Sequence, residues 1–215
     1  MAAIKFRRGI RQTLTAHFEC REFDCKCGCT PTLHDRALSR KLEQLRRDLG
    51  APLTITSGYR CEKHNKAVGG SSGSRHVTGC AADIKCAAVN PVLLAILARQ
   101  YFKGVGIYWY GSSAFVHVDT RSIKATWLKS TSSEPYRYTT LKSFILPTIK
   151  RGSTGNVNRA ATRMLQKLLG ITADGTFGIN TEKALKAAQS RHGIKVDGIC
   201  GPETWRHISG AAEYL

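Results

Sequence analysis

A short stretch near the C-terminus occurs twice. Asp174-Gly175-Thr176-Phe177-Gly178 returns 23 residues later as Asp197-Gly198-Ile199-Cys200-Gly201. Each copy follows an apolar run at helical spacing, Ala160–Leu169 and Thr181–His192, in which Leu165, Leu168, Leu185 and Ala188 are expected to face inward. Each copy then leads into a helix start, at Asn180-Thr181-Glu182 and at Pro202-Glu203-Thr204. The glycines permit φ > 0, Asp can close the turn and Thr can cap the helix. A helix–turn unit duplicated over so short a distance confines the C-terminal part to a small helical domain. Two composition breaks, the polar stretch 129–140 and the run from Pro147 to Asn156, separate it from the rest. The expected organisation is a first domain over 1–128, a linker over 129–146 and a second domain over 147–215.

The first domain mixes element types. From Pro31, Leu33, Leu38, Leu42, Leu45 and Leu49 form one stripe of a helix that stops at Gly50. Leu53–Thr56 reads as a short strand ending in Ser57-Gly58. A second helix is expected over Pro91–Phe102, followed by strands Gly106–Trp109 and Phe115–Asp119 joined through Gly111-Ser112-Ser113. The pattern is α+β and not a regular βαβ series.

Hydrophobic residues make up 42% of the 215 and charged ones 22%, which excludes a disordered chain. The apolar run Pro91–Ala98 falls far short of the ~18 residues of a membrane span. The basic opening Met-Ala-Ala-Ile-Lys-Phe-Arg-Arg is not followed by an apolar run, so no secretory signal is expected and synthesis in a cytoplasm is. The formal net charge of +18 calls for a polyanionic partner: nucleic acid, an anionic membrane surface or a cell-wall polymer. A dedicated nucleic-acid binder would show finger spacing or aromatics interleaved with the basic residues, and neither is present. No specific nucleic-acid partner is therefore expected.

The chemistry concentrates in Ser74-Arg75-His76-Val77-Thr78-Gly79-Cys80-Ala81-Ala82-Asp83 and in Phe115-Val116-His117-Val118-Asp119. An imidazole, a carboxylate seven residues on and a distant second imidazole make a three-ligand zinc set with a fourth position open to water, as catalytic zinc is held. Taken singly, the same residues also fit hydrogen-bonded core histidines and a turn-capping Asp83.

The wider context bears on that choice. Ile55-Thr56-Ser57-Gly58-Tyr59-Arg60, His64-Asn65, Val68-Gly69-Gly70, the His76–Asp83 motif and the His117 strand together resemble the zinc D-Ala-D-Ala peptidases of the M15 type, over about residues 15–128. The resemblance implies the Hedgehog/DD-peptidase fold, one catalytic Zn2+ on His76, Asp83 and His117, and hydrolysis of stem or cross-link peptides of peptidoglycan by zinc-activated water. It also implies that Arg60 points into the site, to bind a substrate carboxylate or the developing oxyanion, and that Ser74 orients the loop or contacts substrate. The sequence departs from the family at Ala114, where several members carry a Glu or Asp as general base. Asp119, two residues beyond His117 and so on the same strand face, is expected to serve as the base or to hold a zinc ligand in place.

Of eight cysteines, Cys20, Cys25, Cys27 and Cys29 crowd together without the paired Cys-x2-Cys of zinc fingers. A structural role is expected for them, with a second zinc as the less favoured reading. Cys61, Cys80 and Cys86 flank the expected site. His17, His34, His192 and His207 lack any motif and are expected to be surface or packing residues.

Leu165-Gln166, Leu169-Gly170-Ile171, the Asp174–Gly178 turn, Ala188-Gln189 and Asp197 through Gly201-Pro202-Glu203-Thr204-Trp205 resemble the peptidoglycan-binding domain 1 family, a three-helix module, over about 147–210. Phe177 and Trp205 are expected in its core. Both halves thus imply bacterial peptidoglycan as partner. The combined expectation is a monomeric, phage-type endolysin that waits in the host cytoplasm until it is released to the wall. The competing expectation is a catalytically inactive wall-binding scaffold. A D-Ala-D-Ala carboxypeptidase, a DD-endopeptidase and an L-Ala-D-Glu endopeptidase would share this chemistry.

Overall fold

The structure is a computed structural model that describes residues 3–108, 113–129, 137–138 and 146–208. Trp109, Gly111, Ser112 and most of the expected linker lie outside the described residues. Strands β1 (Ile4–Phe6), β2 (Thr13–Thr15) and β3 (Phe18–Glu19) lead through a 3-10 turn at Cys20–Phe23 to β4 (Thr32–His34) and α1 (Arg36–Leu49). Then come β5 (Thr54–Ser57), α2 (Glu62–Ala67), β6 (Ala81–Lys85), α3 (Pro91–Ala98), β7 (Gly104–Tyr108), β8 (Phe115–Asp119), β9 (Ala125–Lys129) and β10 (Arg137–Tyr138). Three helices end the described residues: α4 (Asn156–Leu168), α5 (Ile179–Arg191) and α6 (Pro202–Ile208). The architecture is α+β with a C-terminal helical domain.

Six strands form one sheet in the order β10-β9-β7-β8-β6-β5, antiparallel except for the parallel pair β7–β9. Strand alternation gives the sheet two unlike faces. Ala82, Ile84, Val105, Ile107, Val116 and Val118 point into a core shared with Leu38, Leu42 and Leu45 of α1 and with Leu93, Leu94 and Ile96 of α3. The residues between them on the same strands, Asp83, His117 and Asp119, occupy the opposite face.

Three local expectations are corrected. Leu33 belongs to β4, paired with β1, and the helix begins only at Arg36, where the Asp35 carboxylate accepts from the Ala37 N–H at 2.9 Å. Gly50, at φ 61, ends it in the left-handed conformation that suits glycine. The second helix stops at Ala98, with turns carrying the chain to a buried Phe102. Strand β6 was not anticipated, because its flanks carry motif residues and its apolar run is short.

The duplicated turns differ from expectation in one respect. Thr181 does not cap α5, whose first flanking residue is Gly178. Thr181 is buried one turn further in, where its hydroxyl takes a hydrogen bond from the Gln166 amide at 3.0 Å. The same amide donates to Asp174 Oδ1 (2.7 Å) and approaches Thr176 O (3.1 Å), while Gln166 Oε1 accepts from the Gly175 N–H (2.9 Å). Gln189 repeats every contact with Asp197, Ile199, Thr204 and Gly198. Leu165, Leu185, Ala188, Phe177 and Trp205 are buried as expected, but Leu168 is exposed, because α4 turns that edge to solvent. Helix α4 packs on α1 and α3, with Arg163 Nη1 donating to Leu49 O at 3.2 Å and Lys167 paired with Asp48.

Candidate metal centre

The sheet register builds the centre. Ser57 of β5 lies opposite Asp83 of β6, Asp83 opposite His117 of β8, His117 opposite Gly106 of β7, and Gly106 opposite Trp127 of β9. One row across the polar face therefore carries Ser57, Asp83, His117 and Trp127. The glycine is required, since a Cβ on Gly106 would collide with the Trp127 indole, whose ring centroid sits 5.2 Å from that of His117. Gly104 serves the next row in the same way: a Cβ there would occupy the space of the Asp119 carboxylate. Two glycines in one short strand thus make room for the side chains of both neighbours.

His76 arrives from the turn-rich segment between α2 and β6. Its backbone N–H meets Ser74 Oγ at 3.3 Å, and its carbonyl accepts from the Arg60 N–H at 3.2 Å. On its ring, Nδ1 donates to Gly58 O at 2.6 Å, which leaves Nε2 as the lone-pair nitrogen. His117 is fixed the opposite way round. Its Nε2 donates to Asp119 Oδ2 at 3.1 Å, so Nδ1 is the bare nitrogen. His76 Nε2 and His117 Nδ1 lie 3.1 Å apart, and Asp83 Oδ1 stands 3.2 and 3.1 Å from them.

Three acceptors thus converge on one point, and both imidazole protons are committed elsewhere. All three side chains are buried. Such an arrangement is unfavourable by itself and favourable around a cation. A borderline-soft set of two imidazoles and one carboxylate with one side open to a cleft matches what catalytic zinc takes, so the residues present fit the ion.

The electrostatics follow from these contacts. Burial alone would raise the Asp83 carboxyl; His76 and His117 beside it, in their proton-bearing forms, outweigh burial and hold it well below the usual carboxylate range, as a cation at the point of convergence would. Burial likewise works against the Asp119 anion, and the hydrogen bonds from His117 and Arg121 overcome it. Burial is also the main force that pushes the His76 imidazole down, toward the neutral form a metal ligand needs.

The other expected residues fall as follows. Arg60 pairs with the second oxygen of Asp83 and donates from Nε to Ser57 Oγ at 2.8 Å. Ser74 lines the cleft while its hydroxyl holds the His76 backbone. Asp119 lies behind His117. It is 0% exposed, does not line the cleft, and spends its oxygens on His117 and on Arg121, whose Nη2 lies 2.6 Å away. Of the two roles expected for it, holding His117 fits this placement, whereas a base needs access to substrate. Arg121 and Trp127 escaped the sequence reading. The signal for Arg121 was its position two residues past Asp119, and its guanidinium stacks 5.0 Å from the Trp127 ring.

The centre opens into a cleft of about 760 Å³. Lys26, Arg75, Lys85, Arg121 and Lys129 line it, and Asp83 is the one carboxylate among the described lining residues. The cleft is therefore strongly positive. His34, by contrast, lies away from the cleft between Phe6 and Phe23, with both ring nitrogens unpartnered, and burial pushes it down to about 4.

Comparison with known proteins matches two separate regions of the chain. Residues 14–119 match the family model of Peptidase M15, and residues 154–208 match that of the peptidoglycan binding domain. A 35-residue stretch is 51% identical to the N-acetylmuramoyl-L-alanine amidase CwlM of Mycobacterium tuberculosis, covering 16% of this chain and 9% of that protein.

Proposed function

From a chain that joins a Peptidase M15 region to a peptidoglycan-binding region, we propose a zinc-dependent peptidoglycan hydrolase that cleaves an amide bond of the stem or cross-link peptide. The observation that carries this reading is the convergence of His76 Nε2, Asp83 Oδ1 and His117 Nδ1 at the floor of a basic cleft, with both outer imidazole nitrogens already hydrogen-bonded. The likeness of 35 residues to an N-acetylmuramoyl-L-alanine amidase supports a wall polymer as the substrate class.

Zinc bound by His76, Asp83 and His117 would supply Lewis acidity for the scissile carbonyl and bring the pKa of a water ligand toward ~7. The protein's own residues do the rest. Gly58 O and Asp119 set the tautomers and ring orientations of the two histidines, and Arg60 with Ser57 holds the Asp83 carboxylate. Arg60 faces the cleft as well, where it is suited to a substrate carboxylate or a developing oxyanion. The other cations of the cleft attract the acidic stem peptide. The C-terminal domain raises the effective concentration of the centre at an insoluble polymer. That pairing of a peptidase with a wall binder suits lysis from within, the endolysin role.

A second reading, an inactive wall-binding scaffold, is favoured by Ala114 and by the lack of a second carboxylate among the described cleft residues. Mass spectrometry of purified sacculi separates the two. New peptide termini that disappear with chelator and in His76→Ala support the hydrolase, and their masses identify the bond. Intact sacculi with protein bound support the scaffold.

A further inference from the structure

The sequence groups Cys20 with Cys25, Cys27 and Cys29, but the fold makes a different set. Cys20 is buried by itself, and Cys61, more than thirty residues downstream, takes its place. The sulfurs of Cys25, Cys27, Cys29 and Cys61 all lie within 4.8 Å of one another. Cys27 Sγ is 3.3 Å from Cys25 Sγ and 3.5 Å from Cys61 Sγ. A tetrahedron of sulfurs around zinc, with bonds of about 2.3 Å, has edges of about 3.8 Å. A disulfide needs about 2.05 Å, and all four are free thiols. We propose that Cys25, Cys27, Cys29 and Cys61 form a closed tetrathiolate site for a structural zinc ion, separate from the His76–Asp83–His117 centre.

The local chain is shaped for it. Gly28, at φ 87, lets the chain reverse between Cys27 and Cys29, and its N–H donates to Cys25 O at 3.1 Å. Backbone N–H groups already point at sulfur: that of Cys61 at Cys25 Sγ and that of His64 at Cys61 Sγ, both at 3.4 Å. Binding Zn2+ releases four thiol protons to solvent and leaves a net charge of 2−, which these donors and Lys26, inside the loop, offset. Four protein ligands leave no position for water, so the site is structural and not catalytic. Sulfur-only tetrahedral sets take zinc or iron, and the proposal commits to zinc.

The ion would act on the neighbouring centre through the backbone. Phe23 O accepts from the Tyr59 N–H at 2.8 Å, and Gly58 sits so close to the Phe23 backbone that a Cβ would collide with it. Gly58 O orients His76, and Arg60 adjoins Cys61. Clamping the 25–29 loop to Cys61 therefore fixes the segment 58–61, which supports one metal ligand and carries the cleft arginine.

The test is metal content of the full chain, purified without chelator from zinc-supplemented medium. The expected result is two zinc ions per chain, one in His117→Ala and one in Cys27→Ser. Cobalt exchanged for zinc should give the intense near-ultraviolet thiolate charge-transfer band in wild type and His117→Ala, but not in Cys27→Ser. Should Cys27→Ser fail to fold, a mercurial titrated into wild type should release one zinc per chain as the thiols are consumed. His117→Ala without zinc, iron in place of zinc, or the four cysteines recovered as disulfides would overturn the proposal. Failure of the hydrolase reading looks different, because sacculi stay intact while the thiolate-bound ion remains.

Discussion

Gln166 and Gln189 in the C-terminal domain and His76, Asp83 and His117 in the N-terminal one are all buried polar side chains, arranged by opposite logic. Around each glutamine, donors meet acceptors: the amide N–H groups point at a carboxylate, a carbonyl and a hydroxyl, while the amide oxygen takes a glycine N–H. Around Asp83 Oδ1, acceptor faces acceptor, and the imidazole protons that could relieve them are held by Gly58 O and Asp119, while Arg60 engages only the second carboxylate oxygen. A complete network is structural and specifies one turn conformation. An incomplete one, built from rigid strands and backed by its own hydrogen bonds, marks where something from outside belongs. The difference marks the candidate site without reference to any relative.

The most direct way to break this contrast is His117→Ala. Removing one of three converging acceptors should lower sacculus hydrolysis by roughly 10³-fold or more, about 4 kcal/mol of barrier, while the protein still pellets with sacculi. Chelation of wild type should reproduce the loss, and added zinc should reverse it only in wild type. Hydrolysis by the variant within tenfold of wild type would end the metal reading.

His34 sharpens the contrast, because it too is buried with bare nitrogens but converges with nothing. Its pKa, pushed to about 4 by burial, lies below the ordinary value of 6.5. The unfolded chain therefore takes up a proton that the native state refuses. Stability should fall as pH drops through the window from 6.5 to about 4, by about 3 kcal/mol at most, and be unaffected by this group above it. His34→Leu should flatten that acid limb in urea denaturation and leave hydrolysis at neutral pH unchanged. An acid limb of unchanged depth would show that His34 is not its source.

Much of this was legible in the sequence, for reasons that differ by region. The duplicated turns were readable because Asp, Gly and Thr act within a few residues of one another, although the role of Thr181 was not, since its partner is the side chain of Gln166, fifteen residues earlier. His76, Asp83 and His117 were readable as a set of ligand types. Their meeting depends on the register of β6 with β8, which no local pattern encodes. Gly106 reads from the sequence only as the start of a strand, and the sheet reveals it, together with Gly104, as space for Trp127 and Asp119. Cys61 was hidden for the same reason: its partners lie in a loop far back in the chain.

The two glutamines allow a test of the satisfied half. Gln166→Ala leaves the buried Gly175 N–H without its acceptor and takes from Asp174, Thr176 O and the Thr181 hydroxyl the amide that donates to them, and should cost about 2–3 kcal/mol in the unfolding of the C-terminal domain. Gln189→Ala should cost a similar amount, because its contacts are the same. Neither should change cleavage of a small soluble peptide, but both should weaken sacculus pelleting. Equal stability of Gln166→Ala and wild type would mean that the network is ornamental.

Asp119 tests the seam between the two kinds of network, since it is a satisfied residue that serves an unsatisfied one. Its oxygens take the His117 Nε2–H and a fork of Arg121 donors, so its charge both sets the tautomer of His117 and makes that imidazole a better ligand. Asp119→Asn keeps an oxygen for His117 but removes the charge. Zinc affinity at this centre should fall roughly tenfold to hundredfold, about 1.4–2.7 kcal/mol, as loss of an outer partner typically does. Hydrolysis at saturating zinc should recover most of the wild-type kcat, with the pH profile keeping its shape. A kcat that stays low at any zinc concentration, with the alkaline-rising limb of the profile gone, would instead make Asp119 the base, and would require its buried carboxylate to reach the cleft by a movement of Arg121.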